Sequence, residues 1–297
     1  MQPSLIVRGH TFEWGTQTYV MGIINATPDS FSGDGLVLKE AWITAAIDQG
    51  VRFQAEGAHL LDVGGESTRP GADAVSTDEE LQRVVPVIRG LSEAVSLPIS
   101  VDTSKAKVAE AALSSGASFV NDVWGFRLDP PIARVAAQAG APVILMHNRS
   151  RRDHARIDPA LGGRYVGVEY EDLIEDIKRE LAISIELAHL AGIPDDQIIL
   201  DPGLGFGKTV AQNLELLDRL DALRDLGYPL LVGPSRKSFI GYTLGLPTDQ
   251  RLEGTAATVA IAIDRGADIV RVHDVQSMSR IARMTDAIVR GGGQGIP

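Results

Sequence analysis

The chain of 297 residues contains no cysteine. Disulfides and thiolate metal sites are therefore excluded, and a reducing, cytoplasmic setting is the natural expectation. Long apolar runs are missing as well. None approaches the roughly 18 residues of a membrane span, so no membrane association is expected. The opening Met1-Gln-Pro-Ser-Leu-Ile-Val-Arg8 has no signal-peptide core, because Arg8 interrupts it. Positive charge is scarce: 28 Lys and Arg stand against 39 Asp and Glu, a net charge of −11. A nucleic-acid partner needs a basic face and is not expected. An anionic substrate would have to be held by a few placed cations. The six histidines include no His-Glu-x-x-His and no helical pair four apart, which argues against a protein-bound zinc site.

What the chain does have is a recurrence. Short apolar runs keep ending in a polar residue able to do chemistry. Tyr19-Val-Met-Gly-Ile-Ile ends at Asn25, His59-Leu-Leu at Asp62, Pro98-Ile-Ser-Val at Asp102, and Ser118-Phe-Val at Asn121. Pro142-Val-Ile-Leu-Met ends at His147 and Ile198-Ile-Leu at Asp201. Leu230-Leu-Val-Gly leads to Ser235 and Lys237, and Asp268-Ile-Val to Arg271 and His273. Amphipathic stretches separate most of these runs. That layout predicts an α/β fold, a (β/α)₈ TIM barrel whose strand ends point into one pocket.

The chain then reads as a single domain, 1–297, with strand cores near 19–24, 59–63, 97–102, 118–122, 142–146, 197–201, 229–233 and 268–272. Residues 4–18 predict a small hairpin turning at Gly9-His10 and plugging the barrel's bottom. Helices are predicted over 77–93 with a Thr77/Glu80 capping box, over 104–115 with Ser104 as cap, near 168–191, over 209–226, and over 275–290. Two irregular stretches, 26–37 and 147–167, are long enough to suggest function, although the charged 149–153 segment reads most simply as a solvated face.

Gly203-Leu-Gly-Phe-Gly-Lys208 is not a phosphate loop, since Pro202 stands where that motif needs glycine. It reads as a tight turn that lets backbone approach a ligand. Arg271 and His273, two apart in a strand, point the same way and suit an anionic group such as phosphate. Asp102, Asn121 and Asp201 at one barrel mouth suit a flat, hydrogen-bonding heterocycle. A carboxylate accepts the adjacent donors of a 2-amino-4-oxo ring, Lys237 reaches its carbonyl oxygen, and the Arg271 plane stacks on it. Gly64-Gly-Glu-Ser-Thr-Arg-Pro-Gly71 makes a shaped loop with exposed donors.

These blocks together resemble the dihydropteroate synthase family. The likeness lies in Met21-Gly-Ile-Ile-Asn25-Ala-Thr-Pro-Asp-Ser-Phe31-Ser, Asp62-Val-Gly-Gly-Glu-Ser-Thr68-Arg-Pro70-Gly, Ser100-Val-Asp102-Thr and Asn121-Asp-Val. It continues in Asp201-Pro-Gly-Leu-Gly-Phe206-Gly-Lys, Ser235-Arg-Lys237-Ser238-Phe and Arg271-Val-His273-Asp. The resemblance implies condensation of 6-hydroxymethyl-7,8-dihydropterin diphosphate with 4-aminobenzoate, in a cytoplasmic homodimer that sulfonamides target. By matching position, Asp102, Asn121, Asp201, Lys237 and Arg271 would hold the pterin. Asn25, Arg271 and His273 would hold diphosphate, with Asn25 on Mg²⁺. Phe31, Thr68, Pro70, Phe206, Lys237 and Ser238 would border the aminobenzoate. The resemblance makes Asp34, Lys237, Arg271 and His273 the catalytic set. One departure is visible. The family commonly runs Ser-Phe-Ser-Asp-Gly-Gly, and here Ser30-Phe-Ser-Gly33-Asp34-Gly35 displaces the aspartate by one residue. Two other readings share the pterin pocket: a methyltransferase from methyltetrahydrofolate to a corrinoid, and a paralogue that binds pterin without turnover.

Overall fold

The computed structural model describes residues 4–26, 36–68 and 72–291. Eight parallel strands form one sheet: β3 (Tyr19–Asn25), β4 (Leu60–Gly64), β5 (Ile99–Asp102), β6 (Phe119–Asp122), β7 (Val143–Met146), β10 (Ile198–Asp201), β11 (Leu231–Val232) and β12 (Ile269–Val272). Their order is β10-β7-β6-β5-β4-β3-β12-β11. A parallel bridge between Leu200 and Leu230 joins the two ends and closes the barrel.

Helices follow the strands as right-handed crossovers demand. They are α1 (Leu36–Ala55), α2 (Thr77–Ala94), α3 (Ala106–Ser114), α4 (Pro131–Ala139), α5 (Leu173–Ala191), α6 (Val210–Asp218), α7 (Ser238–Leu244), α8 (Leu252–Asp264) and α9 (Val275–Val289). Local chemistry sets their ends. Asp172 accepts from the N–H groups of Ile174 and Glu175, each at 3.0 Å, and Gly192 in the left-handed region stops α5. Thr209 and Gln212 form a capping box on α6.

Side chains alternate across the strands and divide into two populations. Val20, Leu61, Ile99, Val120, Val143, Leu200 and Val270 face outward and pack under the helices. Tyr19, Met21, Leu60, Phe119, Ile144, Ile199, Leu231 and Ile269 face inward and fill the lower barrel. The hairpin of β1 (Leu5–Val7) and β2 (His10–Phe12) adds Leu5, Val7 and Phe12 to that inner cluster, so the bottom is plugged as expected. Its two-residue turn is Arg8-Gly9, with φ of 49° and 78°, and not Gly9-His10. Both central residues take the left-handed twist that a tight hairpin requires.

Other boundaries also differ from the expectation. The cap of α2 is Ser76, which accepts from Glu79 N at 3.3 Å, and Thr77 is already helical. Ser104 caps nothing, because Lys105 holds the N-cap position of α3 without a side-chain bond. The helix expected over 209–226 breaks at Arg219, after which Leu220–Leu226 winds as a 3₁₀-helix. Leu214, Leu217, Leu220 and Leu223 repeat every three residues, which is the 3₁₀ period. The stretch 147–167 is not wholly irregular: β8 (Ala155–Asp158) and β9 (Gly162–Tyr165) form an antiparallel hairpin. Within 149–153, Arg151 and Asp153 pair on the surface. Arg149 instead turns inward onto Asp176 and Glu180 and lies 4.2 Å over the Tyr170 ring.

Phe12 is the pivot of the plug, in aromatic contact with Trp14, Tyr19 and Phe119. Phe12→Ala is expected to cost about 3–5 kcal/mol of unfolding free energy in urea titration. A loss below about 1 kcal/mol would mean that the plug is an ornament and not part of the core.

Candidate active site

The alternation that builds the inner apolar cluster continues upward into polar residues. Above Leu60 comes Asp62, above Phe119 Asn121, above Ile199 Asp201, and above Ile269 come Arg271 and His273. Register places Gly64, Asp102 and Asn121 side by side across β4, β5 and β6, with Asn25 opposite Gly64 on β3. A strand-end carboxylate here is thus one pleat beyond the core, and its neighbours are the ends of the adjoining strands.

Arg271 organises this layer. Its Nε donates to Asp62 Oδ2 at 2.6 Å and its Nη2 to Asp102 Oδ2 at 2.8 Å. Asn121 Nδ2 donates to the same Asp62 oxygen at 3.1 Å. Burial pushes the Asp102 carboxyl up to about 7 against the pull of the Arg271 guanidinium. Asp201 is buried, accepts from Gly203 N at 2.7 Å, and is likewise pushed up by burial, with Lys237 opposing. Burial brings the Lys237 ammonium down to about 8, with Asp201 opposing. Lys237 donates to the Leu204 carbonyl and sits 4.7 Å over the Phe206 ring. His273 Nδ1 lies 3.0 Å from Ser235 Oγ, which also accepts from His273 N at 3.1 Å.

The expected residues therefore converge. Asp102, Asn121, Asp201, Lys237 and Arg271 form one electrostatic group in the barrel mouth. Asn25 is exposed at the end of β3, whose neighbour β12 leads into His273. Thr68 and Phe206 line, with Asp102, a cavity of about 320 Å³ that opens beside this group. Ser238 begins α7, directly after Lys237. Phe31, Asp34 and Pro70 lie outside the described residues.

Two members were not singled out from sequence. Asp62 holds Arg271 and Asn121 together, is wholly buried, and leaves Oδ1 without a hydrogen bond among the described residues. The signal was present, because Asp62 ends an apolar run as Asp102 does. Lys105, after β5, binds Glu66 Oε2 at 2.6 Å, Glu80 Oε2 at 2.5 Å and the Val75 carbonyl at 2.8 Å. It moors the loop that carries Thr68.

A barrel with such a mouth defines an enzyme that grips a flat heterocycle. The comparisons agree. The profile of the family described as "Pterin binding enzyme" matches residues 21–273, and the chain belongs to that family. Within it the chain groups with the dihydropteroate synthases. It is 49% identical over 280 residues to that enzyme of Clostridium beijerinckii, covering 94% of this chain and 97% of the relative. Among solved structures, Xanthomonas albilineans dihydropteroate synthase with 4-aminobenzoic acid superposes with a TM-score of 0.85 at 40% identity, covering 100% of both chains. The Yersinia pestis enzyme with a sulfonamide drug gives 0.85 at 39% identity, covering 97% of this chain and 100% of that one.

Removing one carboxylate from Arg271 tests its place as organiser. Asp62→Asn is expected to cost about 2 kcal/mol in urea unfolding, the worth of a hydrogen bond to a charged group. An unchanged midpoint would show that the Asp62 contact contributes nothing.

Proposed function

We infer that the chain carries out the dihydropteroate synthase reaction, joining 6-hydroxymethyl-7,8-dihydropterin diphosphate to 4-aminobenzoate with release of diphosphate. The convergence of Asp102, Asn121, Asp201, Lys237 and Arg271 at one barrel mouth carries this reading. The identity to the Clostridium beijerinckii enzyme supports it.

On this reading Asp201 and Asp102 accept from the ring donors, with Asn121 beside them. Lys237 donates to the ring carbonyl oxygen. Arg271 keeps Nε and Nη2 on its two carboxylates and offers its remaining N–H groups and its planar face to the substrate. Asn25, Arg271 and His273 meet the diphosphate. Thr68, Phe206, Lys237 and Ser238, with Phe31 and Pro70, border the aminobenzoate. The bond between the pterin methylene and the diphosphate oxygen breaks, its electron pair leaving with diphosphate. The ring stabilises the resulting cation, so no covalent protein nucleophile is required. The aniline nitrogen then forms the new C–N bond and loses a proton. The protein's part is charge stabilisation of the leaving group, ring recognition and exclusion of water. Asp34, one residue displaced from the family's aspartate, is carried as a catalytic group on the resemblance alone.

Among the described residues no group of three His, Asp or Glu is placed to hold a metal ion. Asn25 supplies one oxygen at the mouth, which fits an Mg²⁺ held mostly by diphosphate oxygens. When bound, that ion neutralises charge on the leaving group.

Exposed apolar residues on the adjacent α8 and α9, Ile261 with Met284 and Ile288, favour a homodimer built on these helices. Absence of cysteine favours the cytoplasm. No described helix is long and apolar enough to cross a membrane. The Yersinia pestis relative carries a sulfonamide drug, which supports reading this chain as a sulfonamide target.

The assay is direct. Purified protein with Mg²⁺ and both substrates is expected to yield dihydropteroate. Chelation is expected to lower turnover at least about tenfold and added Mg²⁺ to restore it. Pterin binding without product would identify the silent paralogue, and methyl transfer to a corrinoid the other class.

Lys237 adds a pH test. Its ammonium loses its proton as pH rises, so kcat/KM is expected to fall through about pH 8. In Lys237→Met that limb should vanish, with a rate about 100-fold lower throughout. An unaltered alkaline limb in the variant would remove Lys237 from the reaction.

A further inference from the structure

The turn Gly203–Gly207 carries two of the groups that hold Lys237, the Leu204 carbonyl and the Phe206 ring. Its shape is imposed from below by a lysine for which the reaction above has no use. Lys208 is buried, 2% exposed. Its Nζ donates to the Gly203 carbonyl at 2.9 Å and the Phe206 carbonyl at 3.2 Å. The third contact is His147 Nδ1 at 2.9 Å. Burial takes the Lys208 amine well below the usual lysine range, with Asp201 opposing, and its N–H groups serve the two carbonyls. Burial, with Lys208 beside it, brings His147 down to about 3, so the ring is neutral.

His147 Nε2 lies 3.2 Å from Glu180 Oε2, off the line of a good hydrogen bond. Glu180 is in turn gripped by Arg149 Nε at 2.7 Å and Arg127 Nη1 at 3.3 Å. The series runs from the underside of the active-site turn to helix α5.

Space around the turn leaves no slack. A Cβ on Gly203 would lie 1.9 Å from the His147 carbonyl oxygen, and one on Gly207 would lie 2.2 Å from the Arg149 carbonyl carbon. Asn213 Oδ1 accepts from Gly205 N at 2.5 Å, and Tyr170 OH donates to the Gly207 carbonyl at 2.9 Å. Those bonds fix the outer side of the turn. Across its inside Phe206 N donates to the Gly203 carbonyl at 3.1 Å, and Lys208 adds a second tie, fastening the turn's first carbonyl to its fourth.

We propose that Lys208, seated by His147, is a positioning residue for the aminobenzoate half of the reaction: it sets the turn so that Leu204 and Phe206 hold the Lys237 ammonium against the second substrate. The pterin shares Lys237 and Asp201, which accepts from Gly203 N, but it keeps Asp102 and Asn121, carried by strands β5 and β6 apart from the turn, so it depends on Lys208 less than the second substrate does. The inference rests on the functional reading above.

Wild-type turnover is measured first, and its absence overturns that reading and this inference together. Given turnover, Lys208→Met is expected to raise KM for 4-aminobenzoate about tenfold while KM for the pterin diphosphate moves less than about threefold. Equal changes in both KM values, or none, overturn the inference while leaving the reaction assignment intact. Should Lys208→Met fail to fold, His147 decides. His147→Asn keeps a hydrogen-bonding group at the Nδ1 position and is expected to stay near wild type, whereas His147→Leu reproduces the aminobenzoate-specific defect. Asn and Leu variants with the same KM for aminobenzoate overturn it.

Discussion

One guanidinium between two carboxylates holds the upper barrel together. Arg271 reaches from β12 across the lumen to Asp62 on β4 and Asp102 on β5, and Asn121 on β6 leans on the same Asp62 oxygen. Removing these charges from water is expensive, and ion pairs of this kind return little net stability. What they return is position. The plane of the arginine is set by two bonds before any ligand arrives, and Asp102 is held ready beside it. Lys237 and Asp201 balance each other at the same mouth, so this polar layer carries opposed charges in place and requires little rearrangement to receive a ring.

The barrel and most of its mouth were legible in the sequence because one rule governs both. A strand that alternates core and lumen residues must, when it emerges from the core, present its next inward residue to the pocket. Asp102, Asn121, Asp201 and Arg271 were readable on that basis alone. Asp62 obeys the same rule, yet its significance depends on Arg271, 209 residues away, and no local pattern records that pairing. The β8–β9 hairpin escaped notice for a different reason. Ala155-Arg-Ile-Asp158 and Gly162-Gly-Arg-Tyr165 lack the apolar alternation that marks a strand, since neither face is buried in the core. It is held instead by docking: Arg251 donates to the Leu161 carbonyl at 2.9 Å and Tyr242 OH to the Gly162 carbonyl at 3.1 Å.

Smaller disagreements have equally local causes. Ser76 and Thr77 are both capping residues, and only the backbone geometry selects the first. The four leucines at 214, 217, 220 and 223 were counted toward a helix, although their strict three-residue interval belongs to the tighter winding that the second half adopts. His147 ends an apolar run just as the site residues do. It is buried, and its partner is Lys208, a residue visible only as the end of a glycine-rich motif.

The plug at the foot of the barrel governs traffic as well as packing. With Leu5, Val7 and Phe12 stoppering one end, the lumen is open, among the described residues, at the other. The strand-end carboxylates sit at its depth, and Phe206 and Thr68 stand nearer the threshold. Whatever enters or leaves the lumen therefore passes Thr68 and Phe206, at the end opposite the plug.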